Sequence, residues 1–208
     1  MGSATTHLDS DAFHPAPGLE RIEFFSDAVI AIAVTLLAID IKPPEVELTQ
    51  LPMALVGLAP RLGIFALSFL IIGSFWVGHH VTFTFIRQYD YRLVWLNLVF
   101  LLFVALIPFA SALLGAYLFE QTAVMIYSTI IASAGFSRAG IWEYAVRNHR
   151  LIDKDVPLAI IRNNRIRNLI APVAFAVSVP LVIINIAFVA MWGIVPISMI
   201  AYRNIAHR

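Results

Sequence analysis

From Leu93 to Tyr117 the chain carries no charged side chain. A helix needs roughly 20 mainly apolar residues to cross a bilayer, and this run is long enough. Comparable runs extend from about Leu19 to Ile41, from about Pro60 to Ile86 and from Thr122 to about Ala145. A soluble domain devotes about a quarter of its residues to charge, whereas this chain of 208 residues is 13% charged and 60% hydrophobic. The surplus apolar surface therefore has to meet lipid. In lipid each backbone polar group must be bonded within its own segment or a closed barrel, so runs of this length predict an all-α integral membrane protein. A further apolar stretch, Asn168 to Tyr202, is too long for one span. A break at Ser178-Val179-Pro180, where proline suits the first turn of a helix better than its interior, makes it two short spans and the total six. A break near Asn185 is the alternative.

The charges are distributed unevenly. Arg87 and Arg92 fall between the second and third spans; Arg147, Arg150, Lys154, Arg162, Arg165 and Arg167 fall between the fourth and fifth; Arg203 and Arg208 follow the last. Only Lys42 and Arg61 belong to the opposite side. Short loops rich in lysine and arginine stay in the cytoplasm, which predicts a multi-pass protein with both termini cytoplasmic. Segment 146–167 is expected to be a cytoplasmic basic loop or surface helix that sets topology, with anionic lipid as a secondary partner. Residues 1–18 are expected to be a polar arm ahead of a transmembrane domain over 19–208. That arm holds Asp9 and Asp11 and no basic region, unlike a secretory signal. The absence of cysteine excludes disulfides, thiolate metal sites and cysteine nucleophiles. No nucleic-acid partner and no cofactor are expected.

The first span is the unusual one, because it contains acids. Asp27 lies about one turn inside its cytoplasmic end, where a carboxylate calls for a polar partner. At about 100° per residue, Phe25, Ala28, Ile32, Leu36 and Ile39 form one stripe, bordered by Thr35. Glu23 and Asp27 lie on the opposite face and Ser26 lies to the side. One face can thus line a path or pack an interface while the other is tied into the bundle; ordinary packing satisfies an aliphatic stripe equally well. In the second span, Phe75-Trp76-Val77-Gly78-His79-His80 places two histidines in the membrane. Adjacent helical residues point about 100° apart, which argues against one metal ion taking both. Hydrogen bonding of one histidine to Asp27 or Ser26 fits better, with Asn97 of the third span a further member. Trp76, Trp95 and Trp142 fit interfacial or packing roles. Arg138 is expected to snorkel toward the cytoplasm or to pair with Glu143.

Three motifs carry a resemblance. Arg21-x-x-x-Phe25-Ser26-Asp27 opening the first span, Trp76-x-x-His79-His80 in the second, and Trp95-Leu-Asn97 continuing to Pro108-Phe109 in the third resemble the transmembrane-protein-175 family of potassium channels. The resemblance covers nearly the whole chain from Leu19, in the form with a single six-helix unit that bacterial members have. It implies a prokaryotic plasma-membrane protein and a homotetramer whose central pore is lined by the first helix. The family narrows that pore with aliphatic side chains at i, i+4 and i+7, positions that read Ile32, Leu36 and Ile39 here. It also implies a threonine layer at Thr35, a Phe-Ser-Asp motif holding the first helix from behind, and potassium as the permeant ion rather than any enzymatic chemistry. No Thr-Val-Gly-Tyr-Gly filter is present, so weak selectivity among monovalent cations is expected. Asp40, roughly 80° from the stripe, is placed as an outer vestibule acid. The rival reading is a secondary transporter or proton-coupled carrier in which Asp27 and the His79/His80 pair titrate.

Overall fold

The structure is a computed structural model, and it describes residues 17–118, 120–186 and 192. The helices follow the apolar runs, and prolines or a capping acid mark several of their starts. α1 (Pro17–Ile39) opens on a proline, whose missing N–H would have no partner there in any case. A short α2 (Leu51–Gly57) and the long α3 (Ala59–Phe85) each have proline in the first turn. α4 (Tyr91–Ala116) is capped by Asp90, whose carboxylate accepts the Leu93 N–H at 2.9 Å. α5 (Gln121–Val146) runs through a 3-10 turn (Arg147–His149) toward α6 (Leu158–Ile184). Among the described residues five helices, α1 and α3 to α6, are long and apolar enough to cross a membrane.

Six spans were expected. The sixth, together with most of the N-terminal arm and the final residues to Arg208, lies outside the described residues, Trp192 excepted. The break expected at Ser178-Val179-Pro180 is absent: α6 runs through Pro172 and Pro180 and stops at Ile184, beside the alternative position Asn185. Proline inside a helix is tolerated more readily in membrane helices than in soluble ones, and α6 continues through both. The Ser178 hydroxyl is buried 2.7 Å from the Phe175 carbonyl oxygen and 3.1 Å from the Ser128 hydroxyl, and it accepts Trp192 Nε1–H at 3.2 Å. α6 also starts ten residues before Asn168, at Leu158, so Arg162, Arg165 and Arg167 occupy its early turns rather than a loop.

α5 is the hub, packed between α4 and α6, while α1 rests on α3 and α4. Trp142, Tyr127, Phe75, Phe83, Phe100 and Phe175 are the largest side chains wholly enclosed between the helices. The basic end is latched. Ile86 and Ile152 form an antiparallel bridge, Arg87 N donates to Leu151 O at 2.8 Å, and Arg87 Nε pairs with Asp153 at 2.9 Å. Asp90 takes the Tyr144 hydroxyl and Arg150 as well as its cap bond. Partial burial works to raise the Asp90 carboxyl, but the Tyr144 hydroxyl, the Leu93 amide and Arg150 outweigh it and hold the group below its usual 3.8.

Arg138 neither snorkels nor meets Glu143. It is 4% exposed, donates from Nη1 to Asn168 Oδ1 at 2.8 Å and sits 5.7 Å from the centre of the Phe75 ring. Glu143 is held instead by Arg165 through two bonds of 2.5 and 2.7 Å. Gly78 makes room for Arg138, since a Cβ there would lie 1.9 Å from Nη1.

α5 and α6 approach closely at Gly135, where a Cβ would fall 2.7 to 3.0 Å from the ring atoms of Pro172. A proline ring on a packed helix cannot swing aside. Gly135→Ala should therefore cost about 1–3 kcal/mol of stability, read as a lowered thermal midpoint of the solubilised protein. Gly140→Ala, which would meet nothing within 4 Å, should leave the midpoint unchanged or raised.

Candidate functional site

α1 divides cleanly into two faces. Ser26, Ile30, Ala33 and Leu37 are buried against the bundle, while Phe25, Ala28, Ile32, Thr35, Leu36 and Ile39 point away from it. Of the five long helices α1 has the smallest buried share, 22% of its most apolar window against 56% for α5. Its inner face is polar at one level. Asn97 Nδ2 on α4 donates to Ser26 Oγ at 2.8 Å, and Ser26 Oγ donates to the Ile22 carbonyl at 2.7 Å. Since Asn97 gives its amide hydrogens to Ser26, its oxygen accepts from His79 Nε2 of α3 at 2.9 Å. The His79 ring lies between Phe83 and Phe100, with centroids 4.2 and 5.5 Å away. Three helices are thus tied by three side chains, all of them buried.

Asp27, one position round the helix, accepts Trp76 Nε1–H at 2.9 Å. Trp76 in turn stacks on His80, with centroids 6.1 Å apart. The two histidines diverge: His79 enters the core and His80 stays exposed. The expected bond from a histidine to Ser26 or Asp27 is replaced by one through Asn97, because the carbonyl of Asn97 lies between them. Trp76, expected in an interfacial or packing role, is the partner of Asp27. An indole N–H at membrane depth needs an acceptor, and Asp27 one helix away was the sequence signal for it. Asp27 and His80 both meet Trp76, one through its N–H and the other against its ring, while His79 is bonded to Asn97. Among the described residues no three His, Asp or Glu side chains gather as metal ligands.

The remaining site residues lie on the open side. Arg21 is exposed in the first turns of α1. Phe25, Ile32, Leu36 and Ile39 are 53%, 58%, 41% and 67% exposed. Thr35 is exposed and turns its hydroxyl back to the Ile32 carbonyl at 2.8 Å. Asp40 follows the last helical residue, also exposed. A second polar cluster escaped the sequence reading: Ser68 Oγ donates to Ser111 Oγ at 3.1 Å and lies 2.9 Å from the Tyr127 hydroxyl. Isolated serines carry no pattern that would have revealed it.

A protein of Streptomyces collinus named a potassium channel is 34% identical to this chain over 79% of the chain and 82% of its own length. The chain belongs to the TMEM175 family. The family profile, described as endosomal/lysosomal potassium channel TMEM175, matches residues 21–108, the stretch that contains Arg21, the Phe-Ser-Asp motif, Trp76, His79, His80 and Asn97. A second relative, named a potassium channel of Chamaesiphon minutus, is 33% identical over 83% of this chain and 85% of its own length. The crystal structure of a TMEM175 homologue from Chamaesiphon minutus, described as a lysosomal potassium-selective channel homologue, superposes with a TM-score of 0.79 at 28% identity, covering 91% of this chain and all of that one. TMEM175 proteins are channels rather than enzymes, and this chain is a multi-pass membrane member with several apolar helices.

Within this TMEM175 protein the Ser26–Asn97–His79 chain holds α1. Asn97→Leu removes both of its bonds and leaves the buried His79 Nε2 without a partner, while Ser26 keeps its bond to Ile22; this should cost about 1–3 kcal/mol. Thermal unfolding of the solubilised protein should show this as a lowered midpoint; an unchanged midpoint would mean that the network does not anchor α1.

Proposed function

We propose that this chain is one subunit of a homotetrameric, potassium-permeable and weakly selective cation channel, with four copies of α1 around a central pore. The observation that carries the reading is the open face of α1. A helix locked from behind by Ser26, Asn97, His79, Asp27 and Trp76 presents Ile32, Leu36 and Ile39 away from its own subunit. Kinship with proteins named potassium channels supports it.

In this arrangement Ile32, Leu36 and Ile39 form successive aliphatic rings. Such a constriction acts by stripping water from an ion or by dewetting. Potassium holds its hydration shell less tightly than sodium, so apolar rings penalise sodium more. Discrimination stays weak because carbon offers nothing in place of the lost water. Thr35, one position before Leu36, supplies hydroxyl oxygens that replace part of it. Asp40 at the outer end adds negative potential that favours cations over anions. The basic end, which carries Arg87, Arg92, Arg147 and the early turns of α6, faces the cytoplasm of a prokaryotic plasma membrane.

Liposomes holding the purified protein and a potassium or a sodium gradient test this. Potassium flux should exceed sodium flux. Leu36→Ala should raise both several-fold and bring them closer together, because one of the apolar rings opens. Thr35→Val should leave conduction in place and reduce the preference for potassium. Flux indifferent to Leu36→Ala would count against the aliphatic constriction. Uptake that saturates with substrate and lacks single-channel steps would favour the carrier reading.

A further inference from the structure

Where α5 gives way to α6, Tyr144, Arg147, His149, Leu158, Arg162 and Arg165 surround a cleft of about 1140 Å³. Its floor is apolar, made by the buried Val146 and Ile161. The 3-10 turn on its rim has left-handed backbone at Asn148 and His149, with φ of 55° and 50°. Bonds from Leu151 N to Ala145 O at 3.1 Å and from Arg87 N to Leu151 O at 2.8 Å hold the loop that follows. The cleft is therefore built on a fixed frame between two membrane-length helices.

Its charge is unbalanced. After residue 140 the side-chain carboxylates are Glu143, Asp153 and Asp155. Glu143 is occupied by Arg165 and Asp153 by Arg87, while Arg150 is drawn away to Asp90. Arg147 and Arg162 are exposed and have no carboxylate at ion-pair distance among the described residues. Two uncommitted guanidinium groups thus share a cleft with His149, beside an apolar floor and the 76%-exposed Leu158. A guanidinium is a planar fork of donors that matches the oxygens of a phosphate. Basic pockets between membrane helices at the cytoplasmic side are suited to anionic headgroups.

We infer that this cleft binds a phosphate-bearing anion, with the phosphate held by Arg147 and Arg162 and any apolar portion laid against Val146, Ile161 and Leu158. Two sources supply that chemistry, an anionic phospholipid headgroup and a soluble phosphate. The inference is independent of ion conduction and can be tested without it.

The experiment is native mass spectrometry of the full-length protein titrated with phosphatidylglycerol, with phosphatidylcholine or with inorganic phosphate. It is run on the natural chain, on Arg147→Gln, Arg162→Gln and the double variant, and on Lys154→Gln, whose side chain lies outside the cleft. The thermal midpoint without additive establishes that each variant is folded. Phosphatidylglycerol should bind more tightly than phosphatidylcholine, and each arginine removed should weaken it about fivefold, with Lys154→Gln unchanged. Inorganic phosphate that binds with the same arginine dependence, while phosphatidylglycerol does not, would assign the site to a soluble phosphate. The inference is overturned if neither probe binds, if the double variant binds as the natural chain does, or if Lys154→Gln weakens binding as much as the cleft variants, which would mark surface attraction without a site.

Discussion

A polar side chain inside a bilayer has no water to turn to, and a helix that carries one is positioned by whatever satisfies it. Here Ser26 depends on Asn97, Asn97 on His79, and Asp27 on Trp76. Those bonds fix which face of α1 looks inward. The opposite face, with Ile32, Leu36 and Ile39, is left open as a consequence rather than by any attraction of its own. An aliphatic stripe alone has no preference between lipid, a neighbouring subunit and an ion path; the polar anchor behind it selects its direction. The basic rim on the same side of the bundle follows the same logic, with carboxylates committed to particular arginines and two arginines left over at the cleft between α5 and α6.

Much of this was legible in the sequence, and the parts that were not share a cause. Apolar runs placed α1, α3, α4 and α5 to within a few residues, since run length against bilayer thickness is a strong signal. The helical period separated Ser26 from Ile32, Leu36 and Ile39 correctly, because angular position on a helix follows from spacing alone. Pro180 misled, since a proline reads as a break in water, whereas membrane helices tolerate it and α6 continues through to Ile184. The start of α6 is not placed by the sequence, and 146–167 reads as a loop or surface helix, because Arg162, Arg165 and Arg167 dilute the apolar signal in its early turns. The pairing of Arg138 with Asn168 depends on tertiary geometry that no spacing encodes, and that of Trp76 with Asp27 was signalled only by an indole and a carboxylate on neighbouring spans.

Arg138 shows how closely such pairings are made. Its guanidinium is enclosed beside Phe75 and Asn168 in a gap that exists because residue 78 has no side chain. The Gly78-His79-His80 run thus serves three ends within one helical turn. It admits a cation from α5, sends one histidine to the anchor of α1, and leaves the other outside against Trp76. The match to TMEM175 over residues 21–108 spans this run and the anchored part of α1 together.

The central claim is that the open stripe of α1 meets α1 of neighbouring subunits around a pore. The chain has no cysteine, so Leu36→Cys introduces a single thiol whose neighbours can be read by oxidation in native membranes. Leu36→Cys should yield a disulfide-linked pair of subunits, whereas Leu102→Cys, on the exposed side of α4, should yield monomers. Monomers from Leu36→Cys in folded protein, with Leu102→Cys cross-linking instead, would contradict this claim and turn the stripe of α1 toward lipid.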